Sequence, residues 1–136
     1  MSTSAGSVQL WSGSGEGKVL YVQTHGVSDP GRCATPFFLA AAAAAMEVEV
    51  AIYFTMYGPQ LLRSDVVDKI GPKGDRGQRL SYFIDQATSL GVRLLVCQPS
   101  LDLNDLAIED LIDGVEMIGG AAFNEMAMEA DAVVSF

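Results

Sequence analysis

The strongest constraint on the fold is the alternation of short β-rich runs with helical segments along the chain. Runs rich in branched and aromatic residues predict five strands, over residues 18–24, 48–55, 92–97, 114–118 and 132–136. Helical spacing and alanine-rich composition predict helices over residues 37–46, 80–90 and 121–130. Strands that alternate with helices favour a parallel sheet covered on both faces.

Length and composition place this sheet in one domain. The chain has 136 residues, of which 49% are hydrophobic, and its mean hydropathy is +0.27. Residues 1–17 are rich in Ser and Gly and are predicted to form a flexible tail, so the α/β domain is expected over residues 18–136. The high apolar content predicts extensive burial, including a subunit interface.

Several classes of protein are disfavoured by the same composition. The longest apolar stretch, residues 36–46, is too short for a membrane span, and the N-terminus lacks the pattern of a signal peptide, so we expect a cytoplasmic protein without membrane contact. The net charge of −9 disfavours nucleic acid as a partner and suits a basic protein. The alternative is that the charge only maintains solubility.

The sequence predicts neither a metal site nor a cofactor. Two cysteines and one histidine are too few for a disulfide framework or a structural zinc site. The glycine-rich loop over residues 71–77 lacks a preceding strand, and Lys73 is followed by Gly74, so it does not match a phosphate loop. The turn over residues 25–31 does not match the dinucleotide pattern either.

Cys97 is the main candidate for chemistry. It lies where the third predicted strand ends, and sites in open α/β sheets form at the carboxyl ends of strands. The residues after Cys97 lead into a predicted helical segment capped by Ser100, and backbone N–H groups at a helix start lower the pKa of a thiol. A thiolate is the nucleophile that takes sulfur from a persulfide. The alternative is a small buried core residue.

Other candidates are predicted at the same edge of the sheet or near a helix start. His25 is placed to exchange protons beside the thiol, or is a plain turn residue. Cys33 follows Arg32 and is either a second sulfur site or a packed core residue. Tyr57 and the Gly119-Gly120 pair follow the second and fourth strands.

The chain resembles the DsrE/DsrF-like family of small sulfurtransferases over most of residues 18–136. The resemblance is clearest in residues 91–103, GVRLLVCQPSLDL, and residues 111–121, LIDGVEMIGGA. It implies a three-layer α/β/α sandwich with a mostly parallel five-stranded sheet. Pro99 departs from the family pattern and is expected to stiffen the loop after the thiol.

The resemblance also implies a function. It implies a homo-oligomer, often a trimer or hexamer, and a cysteine persulfide that maps to Cys97. It implies that the sulfur passes to a partner, either a sulfur-carrier protein of the TusA type or an enzyme of sulfur oxidation. The alternative is a non-catalytic binding or assembly subunit in which the cysteine is inert. A small-molecule enzyme on a flavodoxin-like scaffold is a third hypothesis, because a fold does not determine function.

Overall fold

The computed structural model describes residues 10–13 and 15–136, and its centre is a five-stranded sheet. The strands are β1 (Lys18–Gln23), β2 (Glu49–Phe54), β3 (Arg93–Val96), β4 (Val115–Met117) and β5 (Ala132–Ser135). Their order across the sheet is β4-β3-β2-β1-β5, and all four pairings are parallel. The predicted α/β class with a parallel five-stranded sheet is therefore confirmed.

Four α-helices connect these strands. They are α1 (Thr35–Ala45), α2 (Leu80–Ser89), α3 (Gln98–Leu103) and α4 (Gly120–Glu129). Short 3-10 helices cover Pro30–Arg32, Gly58–Leu62 and Ile108–Asp110. Pro36 lies in the first turn of α1, where a missing N–H costs nothing. Leu80, Ile84 and Ala87 form the buried face of α2, at the spacing that the sequence predicts.

The sheet is covered on both faces because strand side chains alternate between them. One face carries Tyr21, Ile52, Phe54, Leu94 and Val96 and packs against α1 and α2. The other face carries Leu20, Ala51, Tyr53 and Leu95 and packs against α4 through Met126. The chain advances from β1 to β4 with α1 and α2 on one face, then returns to β5 through α4. Right-handed crossovers require α4 to lie on the opposite face.

A short segment before β1, residues 10–13, packs on the α4 face, and we call it the strap. Trp11 is 2% exposed, and its indole Nε1 donates to the carbonyl oxygen of Met126 at 3.0 Å. The N–H groups of Ser12 and Gly13 donate to the Glu49 carboxylate at 2.6 and 2.9 Å. The strap falls within the predicted tail, of which residues 1–9 and 14 lie outside the described residues.

No helix in the described part of the chain is both long enough and apolar enough to cross a membrane.

Candidate functional site

The carboxyl edge of the sheet brings together three loops, which follow β1, β2 and β3. Cys97 comes directly after β3, Thr55 directly after β2, and His25 two residues after β1. Gly26 lets the first two loops touch, because a side chain there would collide with the Gln60 side chain and the Tyr57 carbonyl. Cys97 therefore lies at an edge of the sheet where the loops of neighbouring strands meet.

Cys97 is the N-cap residue of α3, and this corrects one detail of the sequence interpretation. Ser100 does not cap the segment but lies in the first turn of α3. Pro99 lies in that same turn, where its missing N–H is tolerated, so it belongs to a helix and not to a loop. The helix therefore starts immediately after the thiol, three residues earlier than the sequence suggests.

The sulfur of Cys97 is surrounded by hydroxyl groups. Its Sγ lies 3.1 Å from the Oγ of Ser100 and 3.8 Å from the Oγ1 of Thr55. The phenol of Tyr53 and the backbone N–H of Ser100 also hydrogen-bond to this sulfur. The Tyr53 ring is held by Phe123 of α4, with ring centroids 4.2 Å apart. The neighbouring strand β2, with the residue that follows it, and the start of α3 thus each supply at least one hydrogen-bond donor.

These donors favour the ionised thiol. Burial alone would raise the pKa of Cys97, which is 7% exposed. The hydrogen bonds from Ser100, Tyr53 and Thr55 outweigh that effect, so the pKa of the Cys97 thiol lies below its usual value. Burial, together with the interaction with Cys97, raises the pKa of the Tyr53 phenol, which therefore remains a donor at neutral pH.

A chain of amide hydrogen bonds ties the loops around Cys97 together. The Nδ2 group of Asn104 donates to the carbonyl oxygens of Met56 at 2.7 Å and Ser100 at 2.6 Å. Its Oδ1 accepts from the Nε2 of Gln60 at 2.9 Å, and the Oε1 of Gln60 accepts from the N–H of Val27 at 3.0 Å. The backbone of Ser100 is thereby linked to the loops that follow β1 and β2.

His25 is not among the residues that contact Cys97. Its Nδ1 lies 3.3 Å from the Oγ1 of Thr24, and its Nε2 lies 4.0 Å from Asp29. The strand order places β1 two strands away from β3, which corresponds to about 10 Å. Both residues lie at the same edge, as the sequence predicts, but the fold does not bring their side chains together. A proton-transfer role for His25 stays a prediction.

Cys33 lies on the other face of the sheet. It is fully buried in the core beneath α1, and burial raises the pKa of its thiol. Cys97 belongs to the core on the α4 face, and both thiols are free. The two cysteines are therefore separated by the sheet, and a role for Cys33 in sulfur chemistry stays a prediction.

The sequence analysis did not identify three residues of the site, which are Tyr53, Thr55 and Asn104. Alternation along β2 puts Tyr53 and Thr55 on one face, but only the strand order shows that this face lies beside Cys97. No group of three or more His, Cys, Asp or Glu side chains within residues 10–13 and 15–136 is arranged to hold a metal ion.

Known structures share this arrangement of strands and helices. The ychN protein from E. coli superposes with a TM-score of 0.70 at 19% sequence identity, over 88% of this chain and 99% of that one. A protein of unknown function from Methanobacterium thermoautotrophicum superposes with a TM-score of 0.57 at 17% identity, over 88% and 97% of the two chains. At these identities the likeness concerns the fold.

Sequence comparison is more specific. The chain is 29% identical over 134 residues to the sulfur carrier protein DsrE2 of Allochromatium vinosum, which covers 71% of this chain and 84% of that protein. The model of the DsrE/DsrF-like family matches residues 17–136. The chain therefore belongs to the DsrE/DsrF-like family.

Proposed function

We propose that this protein transfers sulfur, and that Cys97 carries it as a persulfide. Family membership and the similarity to a protein named as a sulfur carrier support sulfur transfer as the general role. The observation that carries the assignment to Cys97 is the set of hydroxyl donors around its sulfur, from Ser100, Thr55 and Tyr53. Of the two thiols, only Cys97 has a lowered pKa.

The proposed reaction consists of two exchanges without net oxidation. The Cys97 thiolate attacks the outer sulfur of a donor persulfide, so a new S–S bond forms on Cys97 while the donor S–S bond breaks. The donor leaves as a thiolate, and the proton stays on the transferred sulfur. An acceptor thiolate then attacks that outer sulfur, which regenerates the Cys97 thiolate and leaves the persulfide on the acceptor.

Each neighbour of Cys97 has a defined role in this proposal. Ser100 and Thr55 donate hydrogen bonds to the thiolate and favour the state that attacks. Tyr53 donates from the sheet face, held by its ring contact with Phe123. When Cys97 leaves as a thiolate in the second exchange, the same donors stabilise it again. One set of groups therefore serves both loading and release.

The partners follow from charge and exposed apolar surface. The net charge of −9 suits an acceptor with a basic surface, and we propose a sulfur-carrier protein of the TusA type or an enzyme of sulfur oxidation. Val133 and Val134 of the edge strand β5 are 47% and 38% exposed, which supports self-association into a homo-oligomer. We propose the cytoplasm as the compartment because a carrier thiol requires a reducing environment.

A second candidate is an assembly subunit in which Cys97 is inert. The low exposure of Cys97, at 7%, is the observation that favours it, since a buried thiol resists reagents. The two candidates differ in whether a sulfur atom is taken up at this position.

Sulfur loading tests the proposal directly. The protein is incubated with inorganic polysulfide, freed of excess reagent, and treated with cyanide, which converts bound sulfane sulfur to thiocyanate. We expect wild type and the matched control Cys33→Ser to release thiocyanate, and Cys97→Ser to release none. Equal release from Cys97→Ser and wild type would refute the assignment, and no release from any of the three would favour the assembly subunit.

A further inference from the structure

The strand β4 forms one edge of the sheet, and within residues 10–13 and 15–136 its outer side pairs with no other strand. The N–H of Ile118 donates to the carbonyl oxygen of Val96 on β3, so alternation directs the backbone groups of Glu116 toward β3 as well. The backbone groups of Val115 and Met117 then point away from the sheet. Glu116 and Met117 are exposed, which leaves this edge accessible.

Two cavities flank this edge, one on each face of the sheet. The first has a volume of about 320 Å³ and is lined by α2 and the residues before β4, including Ile84, Asp85 and Ile112. The second has a volume of about 560 Å³ and lies between the strap and α4, where Leu10 and Ala122 line it. Side chains of an added strand alternate between faces, so consecutive residues would enter the two cavities in turn.

The rims of both cavities are acidic. Four carboxylates line them, and they belong to Asp85, Asp113, Glu116 and Glu125. The one guanidinium, that of Arg93, is already paired with Glu116, with Nη2 to Oε1 at 2.8 Å and Nε to Oε2 at 3.0 Å. The unpaired charge around the edge is therefore negative.

We propose that the β4 edge binds an extended segment of a partner protein as an added strand. The segment has small apolar side chains that alternate between the two cavities, and Lys or Arg residues that meet the acidic rims. A second copy of this chain is disfavoured as the occupant, because pairing two β4 edges would place Asp113 and Glu116 of both copies together. This site is separate from Cys97, and its occupation does not depend on sulfur transfer.

Peptide binding measured by NMR tests this proposal. The probe is a synthetic peptide with a central pair of valines, one for each cavity, flanked on both sides by lysines. It is added to uniformly labelled protein, and the control peptide replaces each lysine with glutamate. We expect the amide signals of Val115 and Met117 to shift and to gain protection from hydrogen exchange with the lysine peptide only. The double variant Asp113→Lys, Glu125→Lys, which leaves the backbone unchanged, should weaken binding by about fivefold or more.

Three outcomes would overturn the proposal. They are the absence of shifts at β4 with the lysine peptide, equal binding of the glutamate peptide, and unchanged affinity of the double variant. Sedimentation of the free protein tests the alternative occupant, a second copy of this chain, by measuring the oligomeric state. If Val115 and Met117 are already protected and the double variant changes the oligomeric state, a second copy occupies the edge and the proposal is wrong.

Discussion

The hydroxyl oxygen of Ser100 lies 3.1 Å from the sulfur of Cys97 and 2.9 Å from the carbonyl oxygen of the same residue. A hydroxyl has one proton, so it donates to only one of these acceptors at a time. With a neutral thiol, Ser100 donates to the carbonyl and accepts the S–H. When Cys97 ionises, the Ser100 hydroxyl rotates and donates its hydrogen bond to the sulfur instead of the carbonyl oxygen.

Substitution of Ser100 by alanine should therefore raise the pKa of Cys97. The rate of alkylation by iodoacetamide at neutral pH should fall about tenfold, because a hydrogen bond to a charged group contributes about 1.5 kcal/mol. The measurement is the pH dependence of the alkylation rate, with Cys33 shielded by burial. The matched control is Ser89→Ala, since Ser89 also donates to a carbonyl three residues earlier, that of Gln86 at 2.9 Å. An unchanged pH profile in Ser100→Ala would contradict this role.

Removing the hydroxyl group of Tyr53 should also raise the pKa of Cys97. Tyr53→Phe keeps the ring contact with Phe123 but removes the donor, so the pKa of Cys97 should rise while the fold is retained. Tyr21→Phe is the matched control, because both tyrosines are 7% exposed and Tyr21 lies on the opposite face of the sheet. Thiol titration by absorbance of the thiolate measures the effect. A similar change in both variants would point to general loosening of the core.

The side-chain amide of Asn104 should contribute to the stability of the fold and to the reactivity of the Cys97 thiol. Asn104→Ala removes hydrogen bonds to Met56, Ser100 and Gln60, and the free energy of unfolding should fall by about 1–3 kcal/mol. Thiol reactivity should fall as well, because Ser100 loses its link to the neighbouring loops. Asn124→Ala is the control, since Asn124 also donates to a carbonyl four residues earlier, that of Gly120 at 3.1 Å within α4. Equal effects of the two substitutions would contradict a role for Asn104 in positioning Ser100.

The hydrogen bonds between the strap and the Glu49 carboxylate should make the stability of the protein depend on pH. Burial would raise the pKa of Glu49, but the N–H groups of Ser12 and Gly13 outweigh it and lower that pKa. A carboxyl whose pKa is lower in the folded state contributes stability above its unfolded pKa of about 4.3, and this stability is lost as the pH falls through the folded pKa.

Substitution of Glu49 by glutamine measures this contribution. Glu49→Gln should be less stable than wild type at neutral pH, and the difference should shrink as the pH is lowered below about 4.3. Urea unfolding across this range gives the difference, and Glu47→Gln is the control on a neighbouring exposed position. A difference that stays constant with pH would show that the Glu49 charge does not hold the strap.

The order of elements along the chain was predictable, and their neighbours in space were not. An apolar run predicted the third strand over residues 92–97, within a residue of each end of β3, with Cys97 as its last residue, and the structure places Cys97 directly after the strand. The contacts of Cys97 with Tyr53 and Thr55 depend on β2 lying beside β3, which is set by crossover direction and packing. For the same reason, His25 and Cys97 reach one edge but are two strands apart.

At two places the structure differs from what the local sequence suggests. Ser100 looks like a helix cap because its hydroxyl suits that position, yet Pro99 is already compatible with the first turn of α3. The strap reads as a tail because Ser and Gly surround Trp11. Its burial follows from the large apolar area of one tryptophan against α4.

Intact-protein mass spectrometry after polysulfide treatment is the most direct measurement of the central claim, that Cys97 carries sulfur. The account predicts that wild type and Cys33→Ser gain the mass of sulfur atoms, that reducing agent removes the gain, and that fragmentation locates it on Cys97. Cys97→Ser should gain nothing. A wild-type protein that gains no sulfur, or a gain that persists in Cys97→Ser, would contradict the claim.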